Sequence, residues 1–85
     1  MIDAQVTAAI ALCVRQAARV KPHVAIEPET RLVEDLAIDS LDLVGVYLQI
    51  QDEFGVDIDD QDVPGLRTVA DLARYVASRS NSAAA

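Results

Sequence analysis

The sequence predicts an all-α fold: a four-helix bundle with three longer helices, one short helix and a long loop after the first helix. Apolar residues recur at spacings of three and four in three separate segments. The three prolines, and two of the three glycines, Gly55 and Gly65, fall between those segments and mark their limits. With 85 residues, 52% of them hydrophobic, the chain has room for one domain with one core. We place that domain at residues 1–79 and a disordered tail at residues 80–85.

The first helix is predicted over residues 3–20, where the apolar residues form one stripe. Asp3 is a candidate N-cap, basic residues gather at the far end, and Pro22 is expected to end the helix. Cys13 lies on the apolar stripe. A single cysteine has no disulfide partner, so we expect a small buried hydrophobic side chain there.

A long connection follows over residues 21–38, in which neither a helical nor a strand period is sustained. Loops of this length in small domains have their own packing or a function. His23, the only histidine, has no Cys or Ser neighbour with which to form a catalytic pair, and we expect a solvated side chain. Six apolar residues are expected to hold the loop against the core: Val24, Ile26, Leu32, Val33, Leu36 and Ile38.

The second helix is predicted over residues 40–54, with Asp39 as N-cap and Gly55 just past its end. Its apolar residues form two stripes, and a small domain covers both only if the helix is central. The stripe expected to face the core contains Leu43, Val46, Tyr47, Ile50 and Phe54. The other stripe contains Leu41, Val44 and Leu48, and we expect it to be a partly exposed apolar patch beside Ser40.

The remaining elements are a short helical turn in "DDQDVPGL", broken by Pro64 and Gly65, and a last helix starting at "TVAD". Thr68 as N-cap and Asp71 three residues later form a near capping box. Val56 and Ile58 are expected to return the chain to the core. The apolar face of the last helix contains Val69, Leu72, Ala73 and Val76.

Acidic residues are concentrated in the middle of a chain whose net charge is −7. No Lys or Arg occurs between residues 32 and 66. The ten acids of that segment are Glu34, Asp35, Asp39, Asp42, Asp52, Glu53, Asp57, Asp59, Asp60 and Asp62. Such a block repels nucleic acid and anionic membranes, and it favours either a partner with a basic docking patch or an ordinary solvated surface.

Two other sequence features concern location. No run of apolar residues is long enough for a transmembrane span, and the N-terminus lacks the basic region of a signal peptide. We therefore expect a cytoplasmic protein.

Ser40 lies between two aspartates at the predicted start of the second helix. A catalytic serine needs a base and an oxyanion hole, and the sequence offers neither. A plain helix-start serine remains possible. An attachment point is the third alternative, because a phosphate ester there would lie over the unpaired N–H groups of the helix. The acidic run from Asp57 is not a calcium loop, since Asp62 and Thr68 stand where glycine and glutamate are required.

Three stretches, "VEDLAIDSLDLV", "DEFGVDIDD" and "TVADLARYV", resemble the acyl carrier proteins, and the resemblance covers residues 3–79. It implies an acyl-carrier-like bundle and a phosphoprotein in which Ser40 carries 4′-phosphopantetheine, derived from coenzyme A. Acyl intermediates of fatty-acid, lipid or polyketide-type biosynthesis would be held there as thioesters. Asp39 and Leu41 would complete the signature recognised by a phosphopantetheinyl transferase. The protein would be a carrier and not an enzyme.

The resemblance also makes the second helix the partner-recognition helix of a monomer. Its partners would be acyl-loading and acyl-using enzymes with basic docking patches. The residues that match its recognition positions are Asp42, Val44, Leu48, Asp52 and Glu53. Acyl chains in the family fold back between the helices, which would make Val46, Ile50 and Ala73 neighbours of the acyl pocket.

Several residues depart from the family pattern. Gly45 and Gln51 stand where housekeeping members have acids, Gln49 is a further uncharged residue of this helix, and Tyr47 is bulky for its position. We therefore expect a carrier dedicated to one pathway. Two alternatives stay open: an aminoacyl or peptidyl carrier, which has the same fold and serine, and an unmodified helical interaction module. The acidic flank of "AIDSL" favours acyl cargo over the first of these.

Overall fold

The computed structural model describes residues 4–84, with side chains described as far as Arg79. It contains α1 (Ala4–Ala17), α2 (Ser40–Phe54), a short 3₁₀ helix that we call η1 (Val63–Gly65), and α3 (Val69–Ala84). The only extended pairing in this part of the chain is an isolated antiparallel bridge between Arg31 and Thr68. The predicted all-α fold is confirmed, and its short helix is the 3₁₀ turn η1.

The core lies where α1 packs against both α2 and α3. The side chains that are fully buried there come from all three helices: Ile10 and Val14; Val46 and Ile50; Val69, Leu72, Ala73 and Val76. Full burial of an aliphatic side chain of this size stabilises the fold by about 1.5–3 kcal/mol. Cys13 is buried as expected, and that burial, followed by the negative charge of Glu53, raises the pKa of its thiol.

α1 ends at Ala17, three residues before the predicted end, and the reason is a local motif. Arg19 adopts a left-handed conformation with φ of 55°, and the N–H of Val20 donates to the carbonyl of Arg15 over 2.9 Å. This is the hydrogen bond of a Schellman motif, which satisfies carbonyls at the helix end. The prediction that Pro22 ends the helix was therefore wrong. The predicted N-cap, Asp3, lies outside the described residues.

The connection over residues 21–38 contains no helix or strand, as predicted, and is fastened to the core and to the start of α3. Leu32 and Ile38 are buried, while Ile26 and Leu36 are partly buried against the core. Val33 was expected to contribute, but 53% of it is exposed. The chain turns immediately after Leu32, so only one of these two adjacent side chains faces inward.

Residues 55–68 return the chain to α3. Gly55 has a φ of 66°, as its predicted place after the helix requires, and Val56 and Ile58 are buried. Pro64 was predicted to break the short helical turn, but it lies inside η1. A proline is accommodated in a first turn because the N–H that it lacks has no intrahelical acceptor there.

α3 begins with the predicted capping box. The N–H of Asp71 donates to Thr68 Oγ1, and the N–H of Thr68 donates to Asp71 Oδ2, each over 3.1 Å. The helix backbone runs to Ala84, and Ala85 lies outside the described residues. The proposed boundary after Arg79 stays a prediction.

Candidate functional site

The start of α2 presents Ser40 to solvent. Asp39 is the N-cap: its Oδ1 accepts the N–H of Asp42 and its carbonyl accepts the N–H of Leu43, each over 2.9 Å. Ser40 is the first helical residue and is exposed. Its hydroxyl has no hydrogen-bond partner among residues 4–79, whose side chains are described. The cap therefore holds the backbone of Ser40 while leaving its side-chain oxygen accessible.

Two backbone donors at this helix start are also open. The N–H groups of Ser40 and Leu41 donate to no described group. Unpaired N–H groups and the aligned peptide dipoles make a helix N-terminus favourable for an anion. An ester phosphate on Ser40 would meet these donors, so the residues present fit such a group.

The chain approaches Ser40 through a strained residue that the sequence did not reveal. Ala37 has a φ of 54°, in the left-handed region that costs a residue with a Cβ roughly 1–2 kcal/mol. The N–H of the next residue, Ile38, donates to the carbonyl of Leu32 over 3.2 Å, and the Ile38 side chain is buried. The turn thus inserts Ile38 into the core and leaves Asp39 and Ser40 on the surface.

The second apolar stripe of α2 is exposed, which confirms the expectation. Leu41, Val44 and Leu48 are 80%, 51% and 58% exposed, and we call these three residues the exposed patch. Asp42, Asp52 and Glu53 are exposed on the same helix. None of these carboxylates forms an ion pair with any residue that the structure describes. Apolar surface and the unpaired charge of Asp42 therefore lie near Ser40, while Asp52 and Glu53 place further negative charge at the other end of α2.

Two glutamines that depart from the family pattern have structural contacts. Gln49 Nε2 donates to Gln16 Oε1 over 2.8 Å, which links α2 to α1. Gln51 Oε1 accepts the N–H of Ile58 over 2.8 Å, which fastens the segment after α2. Gly45 differs: a Cβ built there would meet no atom within 4 Å, so packing does not require glycine. Sequence spacing alone gives no signal for either glutamine contact.

The three residues expected to line an acyl pocket do not line the surface depressions beside α2. Val46, Ile50 and Ala73 have no exposed surface and belong to the core. The two depressions are lined instead by other α2 residues, among them Leu43 and Tyr47, together with residues of the η1 region. Burial raises the pKa of the Tyr47 phenol.

The described residues do not bring together side chains that would support catalysis or metal binding. His23 is exposed in the long loop, far along the chain from Ser40. Across the described residues, no three His, Cys, Asp or Glu side chains are grouped so that they could hold a metal ion. No described helix has the length and apolar character that crossing a membrane requires.

Comparison with known proteins identifies a family that this sequence matches. The sequence profile of a family described as a phosphopantetheine attachment site matches residues 8–76. The meromycolate extension acyl carrier protein of Mycobacterium leprae is 40% identical over 72 residues, which cover 85% of this chain and 62% of that protein. Its counterpart in Mycolicibacterium aurum is 38% identical over 72 residues, covering 85% and 73%. An acyl carrier protein of Thermotoga maritima is 44% identical over 48 residues, covering 56% and 59%. The chain thus spans less than two thirds of the Mycobacterium leprae relative.

Proposed function

Because the chain belongs to the acyl carrier protein family, we propose that it carries acyl groups as thioesters on 4′-phosphopantetheine attached to Ser40. Members of this family are carriers that partner enzymes act upon, and their prosthetic group is covalently bound. We further propose that residues 1–79 form the carrier domain and that the protein works in the cytoplasm, where its partner enzymes would be. The observation that carries the proposal is the exposed, unpartnered Ser40 hydroxyl at the open N-terminus of α2.

In this proposal Asp39, Ser40 and Leu41 are the residues that a phosphopantetheinyl transferase reads. Asp39 fixes the helix start through its two hydrogen bonds, so the Ser40 hydroxyl is held at one place on the surface. The exposed side chain of Leu41 stands beside it. The prosthetic group, when bound, supplies the thiol that holds the acyl group. Tethering that group to the protein raises its effective concentration at successive partner sites.

The exposed patch and the acids of α2 are proposed to dock those partners. Asp42, Asp52 and Glu53 would steer a basic surface towards α2, and Val44 and Leu48 would add apolar contact on arrival. Charge steering raises the association rate without requiring slow dissociation. A docking surface of this kind suits a carrier that has to leave one enzyme for the next.

We propose a dedicated lipid pathway as the setting. Gly45 and Gln51 occupy two positions of α2 where housekeeping carriers have acids. Two relatives are named for meromycolate extension. A partner that requires those charges would bind this chain less well. An aminoacyl or peptidyl carrier has no specific observation in its favour.

The first experiment is intact mass spectrometry after incubation with coenzyme A and a broad-specificity phosphopantetheinyl transferase. We expect one phosphopantetheine adduct on the wild type, none on Ser40→Ala, and an unchanged adduct on Ser78→Ala. Ser78 is the matched control because it is also exposed, near the end of the described part of α3. A folded protein that stays unmodified with every transferase tested would instead favour an unmodified interaction module.

A second experiment concerns the pathway. The double variant Gly45→Glu, Gln51→Glu places acids at the two positions. A Cβ at residue 45 meets no atom within 4 Å, and a carboxylate at residue 51 still accepts the N–H of Ile58. We expect a housekeeping ketosynthase to use the loaded variant more efficiently than the wild type. Equal use of the wild type and the organism's main carrier would contradict a dedicated role.

A further inference from the structure

The surface between α2 and η1 holds two separate depressions. The larger, of about 290 Å³, is lined in part by Leu32 and Val33 of the long loop, and we call it the loop-side depression. The smaller, of about 220 Å³, is lined in part by Val44 and Leu48, and we call it the patch-side depression. Both lie at or below the lower end of the volumes typical of small-molecule pockets, about 300–1,000 Å³.

Two residues, Tyr47 and Val63, line both depressions and therefore stand between them. Val63 belongs to η1, whose backbone is fixed by a hydrogen bond from the Leu66 N–H to the Val63 carbonyl over 2.9 Å. The loop before η1 is anchored as well, because the Tyr75 hydroxyl donates to Asp62 over 2.8 Å. Tyr47 is half-buried, and its hydroxyl has no partner among the described residues. Packing alone holds its ring in the partition.

The partition lies on the side of α2 that bears Ser40. Tyr47 follows Ser40 by seven residues, which is two helical turns on the same face, or about 10 Å along the axis. Leu43, one turn after Ser40, lines the loop-side depression. Val44, also one turn after Ser40, lines the patch-side depression. A chain that extends from Ser40 along this face therefore enters one depression or the other before it meets the Tyr47 ring.

We propose that Tyr47 determines how much of an acyl chain this protein shelters. This proposal rests on the proposed function. With the ring in place, the chain occupies a single depression, so a short acyl group is sheltered completely and the rest of a longer one stays outside. The phenol strengthens the barrier, because an apolar chain passing over it would strip water from a hydroxyl that has no protein partner. Without the ring, the two depressions form one longer groove.

The test is thermal unfolding of the full chain carrying butanoyl, octanoyl, dodecanoyl or hexadecanoyl groups, each compared with the same variant without an acyl group. A fully sheltered methylene raises Tm by about 3–6 °C. In the wild type we expect Tm to rise with chain length and then reach a plateau. In Tyr47→Ala the plateau is expected at a longer chain. Tyr47→Leu, which keeps apolar contact with the core, should shift in the same direction if the alanine variant folds poorly.

Two controls isolate the ring. Tyr47→Phe keeps the ring and should keep the plateau at the wild-type chain length. Leu48→Ala removes a side chain that lines only the patch-side depression and leaves the ring between the two depressions, so the plateau should again stay in place. A wild-type Tm that rises steadily through hexadecanoyl would overturn the proposal. A plateau at the same chain length in the wild type, Tyr47→Ala and Tyr47→Leu would overturn it too.

A second series of proteins, alkylated at residue 40, tests the role of Tyr47 independently of the proposed function. Ser40→Cys can be alkylated with iodoacetamides bearing the same alkyl chains, since the other cysteine, Cys13, is buried. That series needs no transferase. An unmodified Ser40 in the enzymatic reaction would count against the carrier role, while the plateau lengths of the alkylated series would still support or overturn the role of Tyr47.

Discussion

The starts of α2 and α3 are built in contrasting ways. At α3 all four leading N–H groups have acceptors: Val69 donates to the Thr30 carbonyl, Ala70 to Pro28, Asp71 to the Thr68 hydroxyl, and Leu72 to the Thr68 carbonyl. At α2 the N–H groups of the first two residues have none among the described residues. The long loop covers the start of α3 and leaves the start of α2 open.

The covered start of α3 contributes to stability, whereas the open start of α2 serves function. An uncovered helix start gives up hydrogen bonds that a protein normally makes with its own groups. The same loop, residues 21–38, reaches both helix starts, so it is long enough to cover the start of α2 as well. That it covers only α3 supports a need for access at Ser40. Variants at the two starts should therefore fail in different ways.

The largest stability effect is expected where the loop is anchored. Leu32 is 1% exposed, and its N–H donates to the Arg67 carbonyl over 2.9 Å, just before α3. Leu32→Ala is expected to lower the free energy of unfolding by about 2–5 kcal/mol through lost burial and the cavity left behind. Urea denaturation measures this change.

The neighbouring residue gives a matched control for that variant. Val33 is 53% exposed, and Val33→Ala should change the free energy of unfolding by less than about 0.5 kcal/mol. Equal losses in the two variants would mean that the loop is not anchored through Leu32. The cover over the start of α3 would then depend on backbone hydrogen bonds alone.

The two caps should have similar stability effects and different functional ones. Thr68→Ala and Asp39→Ala each remove a side-chain acceptor of a helix N-terminal N–H, at about 0.5–2 kcal/mol. We expect Thr68→Ala to be modified by the transferase as fast as the wild type and Asp39→Ala to be modified more slowly. Mass spectrometry over time measures the rates. Slowing of both variants to the same extent would show that loss of stability, and not recognition, controls the reaction.

Much of this contrast was predictable because caps and apolar periods are local. Asp39 and Thr68 were identified from residue type and spacing, and both make the expected hydrogen bonds. The burial of Val46 and the exposure of Leu48 followed from the two stripes of one helix. The attachment role of Ser40 came from the family resemblance, since the serine taken in isolation favoured a plain helix-start residue.

What escaped prediction depends on contacts distant in sequence or on unusual backbone. The carbonyls of Pro28 and Thr30 cap α3 from about 40 residues away, and no local pattern records that pairing. The end of α1 is set by a left-handed Arg19, a residue type with no preference for that conformation. The partition role of Tyr47 likewise depends on η1, which reaches α2 only in the folded chain.

A smaller effect is expected on the approach to α2, where Ala37 has a φ of 54°. Ala37→Gly removes the clash of the Cβ, and we expect the free energy of unfolding to rise by about 0.5–1 kcal/mol after the larger entropy of glycine in the unfolded chain is subtracted. Ala8→Gly, at an exposed position inside α1, is the control of opposite sign and should cost about 1 kcal/mol. Denaturation of both variants decides the matter, and a loss in Ala37→Gly would contradict the strain.

The smallest effect is the pH dependence of the start of α3. Partial desolvation raises the pKa of Asp71, but hydrogen bonds from the N–H groups of Arg67 and Thr68, the Arg74 guanidinium and the Thr68 hydroxyl outweigh it and hold the pKa below its ordinary value. A carboxylate whose pKa is lower in the folded state stabilises the fold above the unfolded pKa, about 3.9, and loses that contribution as pH falls through the folded pKa. Stability should therefore fall below about pH 4, and less steeply in Asp71→Asn, whose amide oxygen still accepts hydrogen bonds but does not titrate in this range.

NMR titration of the Asp71 carboxyl measures the shift directly. A midpoint above the ordinary value would mean that desolvation prevails, and the stability of the fold would then fall as the carboxyl ionises.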